Sequence, residues 1–211
     1  MTTSVVALIA VAVGAVGVLL VGEGKGRRPL VLAAKPLASA CFVAVGWVSL
    51  RDSDPYGAWI VFGLALSMVG DILLMFRRAF LAGIGVFLAA HVAYLAAFHV
   101  LLPAHDWPLW IAAPVTMTSA FAAAWLWPHL GRLRAPVVAY VAAITLMLWG
   151  ALAALEADRL GAVFAAGAVL FYLSDLAVAR DRFVRPGFVN RAWGLPAYYL
   201  GQILLALSVG R

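Results

Sequence analysis

Apolar residues run along this chain in blocks of about 20, each long enough to cross the hydrocarbon core of a bilayer as an α-helix. The blocks cover roughly Ser4–Gly22, Leu30–Leu50, Gly57–Phe76, Phe80–Leu102, Pro108–Trp127, Pro136–Leu155, Leu160–Ala179 and Arg191–Val209, with short polar connections between them. This pattern predicts an all-α polytopic membrane bundle of eight transmembrane helices, with residues 1–211 forming a single transmembrane domain. The first block precedes its positive residues instead of following them, so a retained helix is expected there and not a cleaved signal peptide.

Composition points the same way: 66% of the residues are hydrophobic and 11% charged, and the mean hydropathy is +1.04. A soluble domain has no use for so much apolar surface. The net charge of +6 changes the picture only through its placement. Lys25, Arg27, Arg28, Arg77, Arg78, Arg132, Arg134, Arg180, Arg182, Arg185 and Arg191 fall in or beside the odd-numbered connections, against Arg51, Arg159 and Arg211 on the other side. Such residues read as topology signals beside anionic lipid heads, not as a nucleic-acid surface, and put both termini outside with the basic loops in the cytoplasm. Trp47, Trp59, Trp107, Trp110 and Trp149 near one set of helix ends and Trp125, Trp127 and Trp193 near the other fit interfacial belts. The single cysteine, Cys41, excludes an intrachain disulfide.

Against this apolar background the embedded polar residues stand out. Asp71 (SMVGDILLM) and Asp175 (FYLSDLAVA) lie on the third and seventh helices, where a carboxyl costs a few kcal/mol to insert and is usually kept for function. Each follows a small residue, Gly70 or Ser174, and precedes an Arg and then a Phe, a hint of a parallel 4+4 internal repeat. At about 1.5 Å per residue, Lys35, Asp71 and Asp175 sit little more than a turn from the basic-loop ends of their helices. Tyr198 is nearly two turns in, and His91 and Gln202 approach the midplane. Lys35 with Ser39, Ser67 with Asp71 and Tyr198 with Gln202 are i,i+4 pairs, and His91 with Tyr94 is an i,i+3 pair, so each presents its polar groups on one helix face. Together they predict one water-accessible pocket opening toward the basic loops.

Plainer readings stand beside this one. Lys35 can snorkel to the head groups, and the aspartates can serve structural ion pairs. His91 can be a hydrogen-bonded core histidine, and Tyr198, Tyr199 and Gln202 can be interhelical hydrogen bonders. Asn190 can be the N-cap of the last helix. The chain has no Walker loop, GxSxG, HExxH or cysteine pair, and its four histidines are dispersed, which disfavours a three-histidine zinc site.

The segments KPLAS (Lys35–Ser39), SMVGDILLM (Ser67–Met75), GVFLAAHVAY (Gly85–Tyr94), SDLAVARDRF (Ser174–Phe183) and AYYLGQILL (Ala197–Leu205), in this order and spacing, resemble the YhhN family. These are lysoplasmalogenase-like membrane proteins of eight helices. The resemblance implies hydrolysis of the vinyl ether bond of a lysophospholipid drawn from the bilayer, giving a fatty aldehyde and a glycerophospho-alcohol, with no metal or organic cofactor. It carries the aspartates of the GD and SD motifs onto Asp71 and Asp175 as an acid–base pair, and Lys35, His91, Tyr198 and Gln202 onto the other polar motif positions. A bacterial inner membrane is the expected location. The chemistry suits the residues: protonation of the β-carbon gives an oxocarbenium ion that water attacks, steps that a carboxylic acid and a nearby carboxylate can serve. The competing readings are a small lipid or proton-coupled transporter and a non-catalytic lipid-binding protein.

Overall fold

The computed structural model describes residues 2–210. Met1 and Arg211, the latter assigned above to the lightly charged side, lie outside the described residues. The eight α-helices are α1 (Thr3–Gly24), α2 (Arg28–Ser49), α3 (Pro55–Leu74), α4 (Phe80–Leu101), α5 (Leu109–Leu126), α6 (Arg134–Glu156), α7 (Ala162–Ala179) and α8 (Phe188–Leu207), and no strand occurs among the described residues. Each coincides with one apolar block. Local chemistry sets several starts: Thr2 caps α1, Asp54 caps α3 by accepting the Gly57 N–H at 2.8 Å, and proline occupies the first turn of α2 and α3. A π-helical turn, Arg180–Val184, extends α7 before Pro186 and Gly187 break the chain. Seven of the helices are long and apolar enough to cross a membrane. The exception is α8, whose Asn190, Arg191, Tyr198, Tyr199 and Gln202 dilute its apolar character.

Six helices close a ring. Going round it, α2 packs on α3, α3 on α4, α4 on α6, α6 on α7, α7 on α8, and α8 back on α2. Outside the ring, α1 lies against α2 and α8, and α5 against α6. The ring interior is filled by buried Phe42, Leu64, Phe98, Met147, Phe171 and Leu205. The α7–α8 seam depends on glycine: a Cβ at Gly201 would lie 2.8 Å from the Gly167 carbonyl oxygen, and one at Gly167 would lie 2.9 Å from that of Gly201. No side chain fits there, so the two backbones touch and carry the Asp175 and Tyr198 faces together.

One tryptophan departs from the belt reading. Trp107 is only 6% exposed. Its indole N–H donates to the Leu102 carbonyl at 2.8 Å, and its ring meets Trp149 edge-on at 5.4 Å over Gly150. With its polar atom satisfied inside the protein, the ring gains more from packing than from the interface.

Candidate active site

Two aspartate clusters share one cavity of about 430 Å³ near the basic-loop ends of the helices. Its lining includes Lys35, Asp71, Tyr140, Asp175 and Tyr198, with Ile84, Phe87, Val137, Val141 and Ile144 among the apolar walls.

The first cluster spans α2, α3 and α8. Lys35 does not snorkel away: its Nζ lies 3.1 Å from Asp71 Oδ1, and its side chain is 14% exposed. Asp71 Oδ2 accepts hydrogen bonds from Ser39 Oγ and Tyr198 OH, each at 2.7 Å. Lys35 and Ser39, one turn apart, thus grip the same carboxylate. Tyr199 backs them, its hydroxyl 3.3 Å from both Ser39 Oγ and the Lys35 carbonyl. Asp71 faces three donors and is 3% exposed; a buried carboxylate is tolerated when it is paired and hydrogen-bonded in this way.

The second cluster spans α4, α6 and α7. Asp175 Oδ2 receives both His91 Nε2, at 3.0 Å, and Tyr140 OH, at 2.8 Å. The His91 ring is fully buried between Tyr140 and Phe171, with centroids 4.9 and 4.6 Å away. Its Nδ1 has no hydrogen-bond partner among the described residues. An unpartnered acceptor is cheaper to bury than an orphaned N–H, so the ring proton belongs on Nε2, donated to Asp175. Asp175 is 18% exposed, and both of its protein contacts among the described residues fall on Oδ2. Oδ1 is therefore the oxygen available to a bound molecule.

Of the other expected residues, Ser174 and Asn190 reach the cavity lining, whereas Ser67, Tyr94 and Gln202 do not. Tyr94 OH donates to Gln202 Oε1 at 2.6 Å, Gln202 Nε2 donates to Ser67 Oγ at 3.3 Å, and Ser67 Oγ is 3.4 Å from Tyr94 OH. This buried triad ties α3, α4 and α8 together and does not line the cavity. Ser174 lines it but turns its hydroxyl onto the Phe171 carbonyl of its own helix. Asn190 lies inside α8 and is not its N-cap, which is Gly187; its side chain accepts from Arg180 and donates to Asp181 and the Arg185 carbonyl, fastening the π-turn to α8. Nearby, Arg191 bridges Glu23 of α1, at 2.8 Å, and Asp181, at 3.2 Å.

Tyr140 is the residue the sequence left unmarked. It is a single phenol in an apolar run, with no polar residue three or four positions away on either side. The available signal was depth: it lies under two turns inside Arg134, about as deep as Lys35 in α2. Among the described residues no three His, Cys, Asp or Glu side chains converge where a metal ion would sit.

Residues 30–209 match the model of the YhhN family. The chain belongs to the YhhN family. It is 34% identical over 168 residues to lysoplasmalogenase TMEM86A of Bos taurus, covering 74% of this chain and 67% of that one. It is 33% identical over 179 residues to lysoplasmalogenase TMEM86B of Homo sapiens, covering 84% and 74%. With a lysoplasmalogenase of Mycobacterium tuberculosis it shares 37% over 162 residues, 70% of this chain but 58% of that longer protein. No solved structure matches. Membership in the family and seven helices long and apolar enough to cross a bilayer make this YhhN protein an integral membrane protein.

Proposed function

We propose that this YhhN protein is a lysoplasmalogenase that hydrolyses the vinyl ether bond of a lysophospholipid taken from the bilayer, with Asp175 as the proton donor and Asp71 as the carboxylate. The observation that carries the assignment is the single cavity lined at once by both aspartates and by aliphatic walls able to hold a lipid chain. Its similarity to lysoplasmalogenases over most of the chain supports the reaction.

The roles follow from the donors. With His91 and Tyr140 both on Oδ2, a proton on Asp175 sits on Oδ1, where it can pass to the β-carbon of the vinyl ether. The double bond becomes an oxocarbenium ion. Asp71, ringed by donors, is the carboxylate; a carboxylate has about four acceptor sites and three are filled, leaving one for a water. That water attacks the α-carbon and gives its proton to Asp71. The hemiacetal hydroxyl then returns a proton to Asp175 as the carbon–oxygen bond to glycerol breaks and Asp71 protonates the departing oxygen. A fatty aldehyde and a glycerophospho-alcohol leave, and both carboxyls are restored.

In the same reading α8 is an eighth span, its polar face turned into the bundle and away from lipid, and residues 1–211 form one transmembrane domain. The termini lie outside, the basic loops face the cytoplasm, and the location is a bacterial inner membrane. A parallel 4+4 duplication is supported by the ring order, in which α2–α3–α4 and α6–α7–α8 follow one another with α1 and α5 outside.

The test is turnover of a 1-alkenyl lysophospholipid by purified protein in detergent and D₂O. The mechanism requires a fatty aldehyde with one deuterium on the carbon next to the carbonyl. Lipid binding without aldehyde would sink the hydrolase and favour a transporter or binding protein.

A further inference from the structure

The mouth of the cavity carries more positive charge than its own carboxylates neutralise. Of the basic residues in the loops on that side, Arg28, Arg182 and Arg191 line the cavity, whereas Lys25, Arg27, Arg77, Arg78, Arg132, Arg134, Arg180 and Arg185 do not. The two acids at the mouth, Glu23 and Asp181, are both committed to Arg191. Among the described residues neither Arg28 nor Arg182 has a carboxylate partner. The Arg182 guanidinium is stacked on the Phe80 ring, 3.9 Å from its centroid. Stacking fixes the plane of the group and leaves its edge N–H donors unused.

Resting on the lysoplasmalogenase reading, we propose that Arg28 and Arg182 form a subsite for the phosphodiester of the substrate head group, holding it at the mouth while the chain lies along the apolar wall. Arginine suits this task because its planar fork matches two phosphate oxygens at once. The arrangement divides the labour by depth: the rim selects the anion, and the two aspartates below meet the neutral vinyl ether. A topology signal alone would not need two unpaired arginines on the cavity lining, one of them stacked in place.

Binding of a non-hydrolysable probe tests this separately from turnover. A saturated 1-O-alkyl lysophosphocholine is compared with the phosphate-free 1-O-alkyl glycerol of the same chain, by calorimetry on the full chain in neutral detergent. The double variant Arg28→Gln/Arg182→Gln is expected to lose about tenfold or more in affinity for the phosphate probe. Its affinity for the alkyl glycerol should be unchanged, which also reports an intact cavity. Arg28→Lys/Arg182→Lys should recover part of the loss, since charge returns without the fork. Equal binding of the phosphate probe by wild type and the Gln variant, or no binding of it by wild type, would overturn the subsite. Displacement of the probe by inorganic phosphate at comparable concentration would overturn its assignment to a lipid head group. If the probe results hold but no aldehyde forms from the alkenyl lipid, the subsite stands and the hydrolase falls.

Discussion

Asp71 and Asp175 occupy related places in the ring and are treated differently by it. Each takes one partner from the helix before its own, Lys35 of α2 or Tyr140 of α6, and one from across the ring, Tyr198 of α8 or His91 of α4. The partners even recur at nearly constant separation along the chain. What differs is their chemistry. α2 supplies a cation and a hydroxyl, so donors reach both oxygens of Asp71; α6 supplies a lone phenol, and with His91 it satisfies one oxygen of Asp175. The side-chain exposures of 3% and 18% follow the same division. Two similarly placed carboxyls thus differ, one gripped on both oxygens and the other with a free oxygen, through what α2 and α6 supply to them.

The largest effect is expected from removing the proposed acid. Asp175→Asn keeps the shape and an acceptor oxygen but has no acidic proton to give. Aldehyde release should fall by about 10³-fold in kcat, with KM little changed. Loss confined to KM would take the proton-donor role away from Asp175.

Asp71→Asn is expected to cost less activity and more stability. Removing the carboxylate should lower kcat by about 10²-fold. It also leaves Lys35 charged and without its partner, which should cost about 3 kcal/mol of unfolding free energy, the low end for an uncompensated buried charge because Lys35 keeps some exposure. Denaturant or thermal melts in detergent would check this against Asp175→Asn, which strands no cation. Lys35→Met/Asp71→Asn should regain most of the stability and none of the activity. If the double variant is no steadier than Asp71→Asn, the ion pair is not what holds this cluster.

Between the two clusters, what was legible in the sequence follows a physical line. Helix positions were legible because apolar blocks of bilayer length leave a chain few alternatives. That Lys35 and Ser39 share a face was legible because helical spacing alone puts them there, but their common partner, Asp71, was not. Partnerships across the ring were not: whether His91 meets Asp71 or Asp175 depends on α4 packing against α6, a contact that no periodicity encodes. The i,i+4 pairs Ser67–Asp71 and Tyr198–Gln202 share a face but not a site. One member of each joins the aspartate and the other joins the triad a turn deeper. Asn190 was legible as a polar helix-start residue but not as the fastener of the π-turn, since that turn interrupts the pattern used to place the cap.

Tyr140→Phe probes the donor that α6 contributes to Asp175. It deletes one hydroxyl and leaves the ring against His91. Asp175 then keeps a single donor on Oδ2, and kcat should drop by about five- to tenfold, the worth of one hydrogen bond, with the melt barely moved. Tyr198→Phe, which likewise takes one phenol donor from Asp71, should do less, because Lys35 and Ser39 still hold that carboxylate. Equal losses in the two variants would mean that the two carboxyls are not distinguished by their donors.

The smallest effect on activity is expected from Gln202→Met, which sets the boundary of the site. Gln202 lies one turn from Tyr198 but bonds to Tyr94 and Ser67. Its loss leaves two buried hydroxyls with only the long 3.4 Å contact between them, which should cost about 1–3 kcal/mol of stability. Because the triad does not line the cavity, kcat at a temperature where the variant is folded should stay within about twofold of wild type. A larger kcat loss at unchanged folding would extend the working site a turn deeper, and the contrast drawn between the two aspartates would then have to include what lies beneath them.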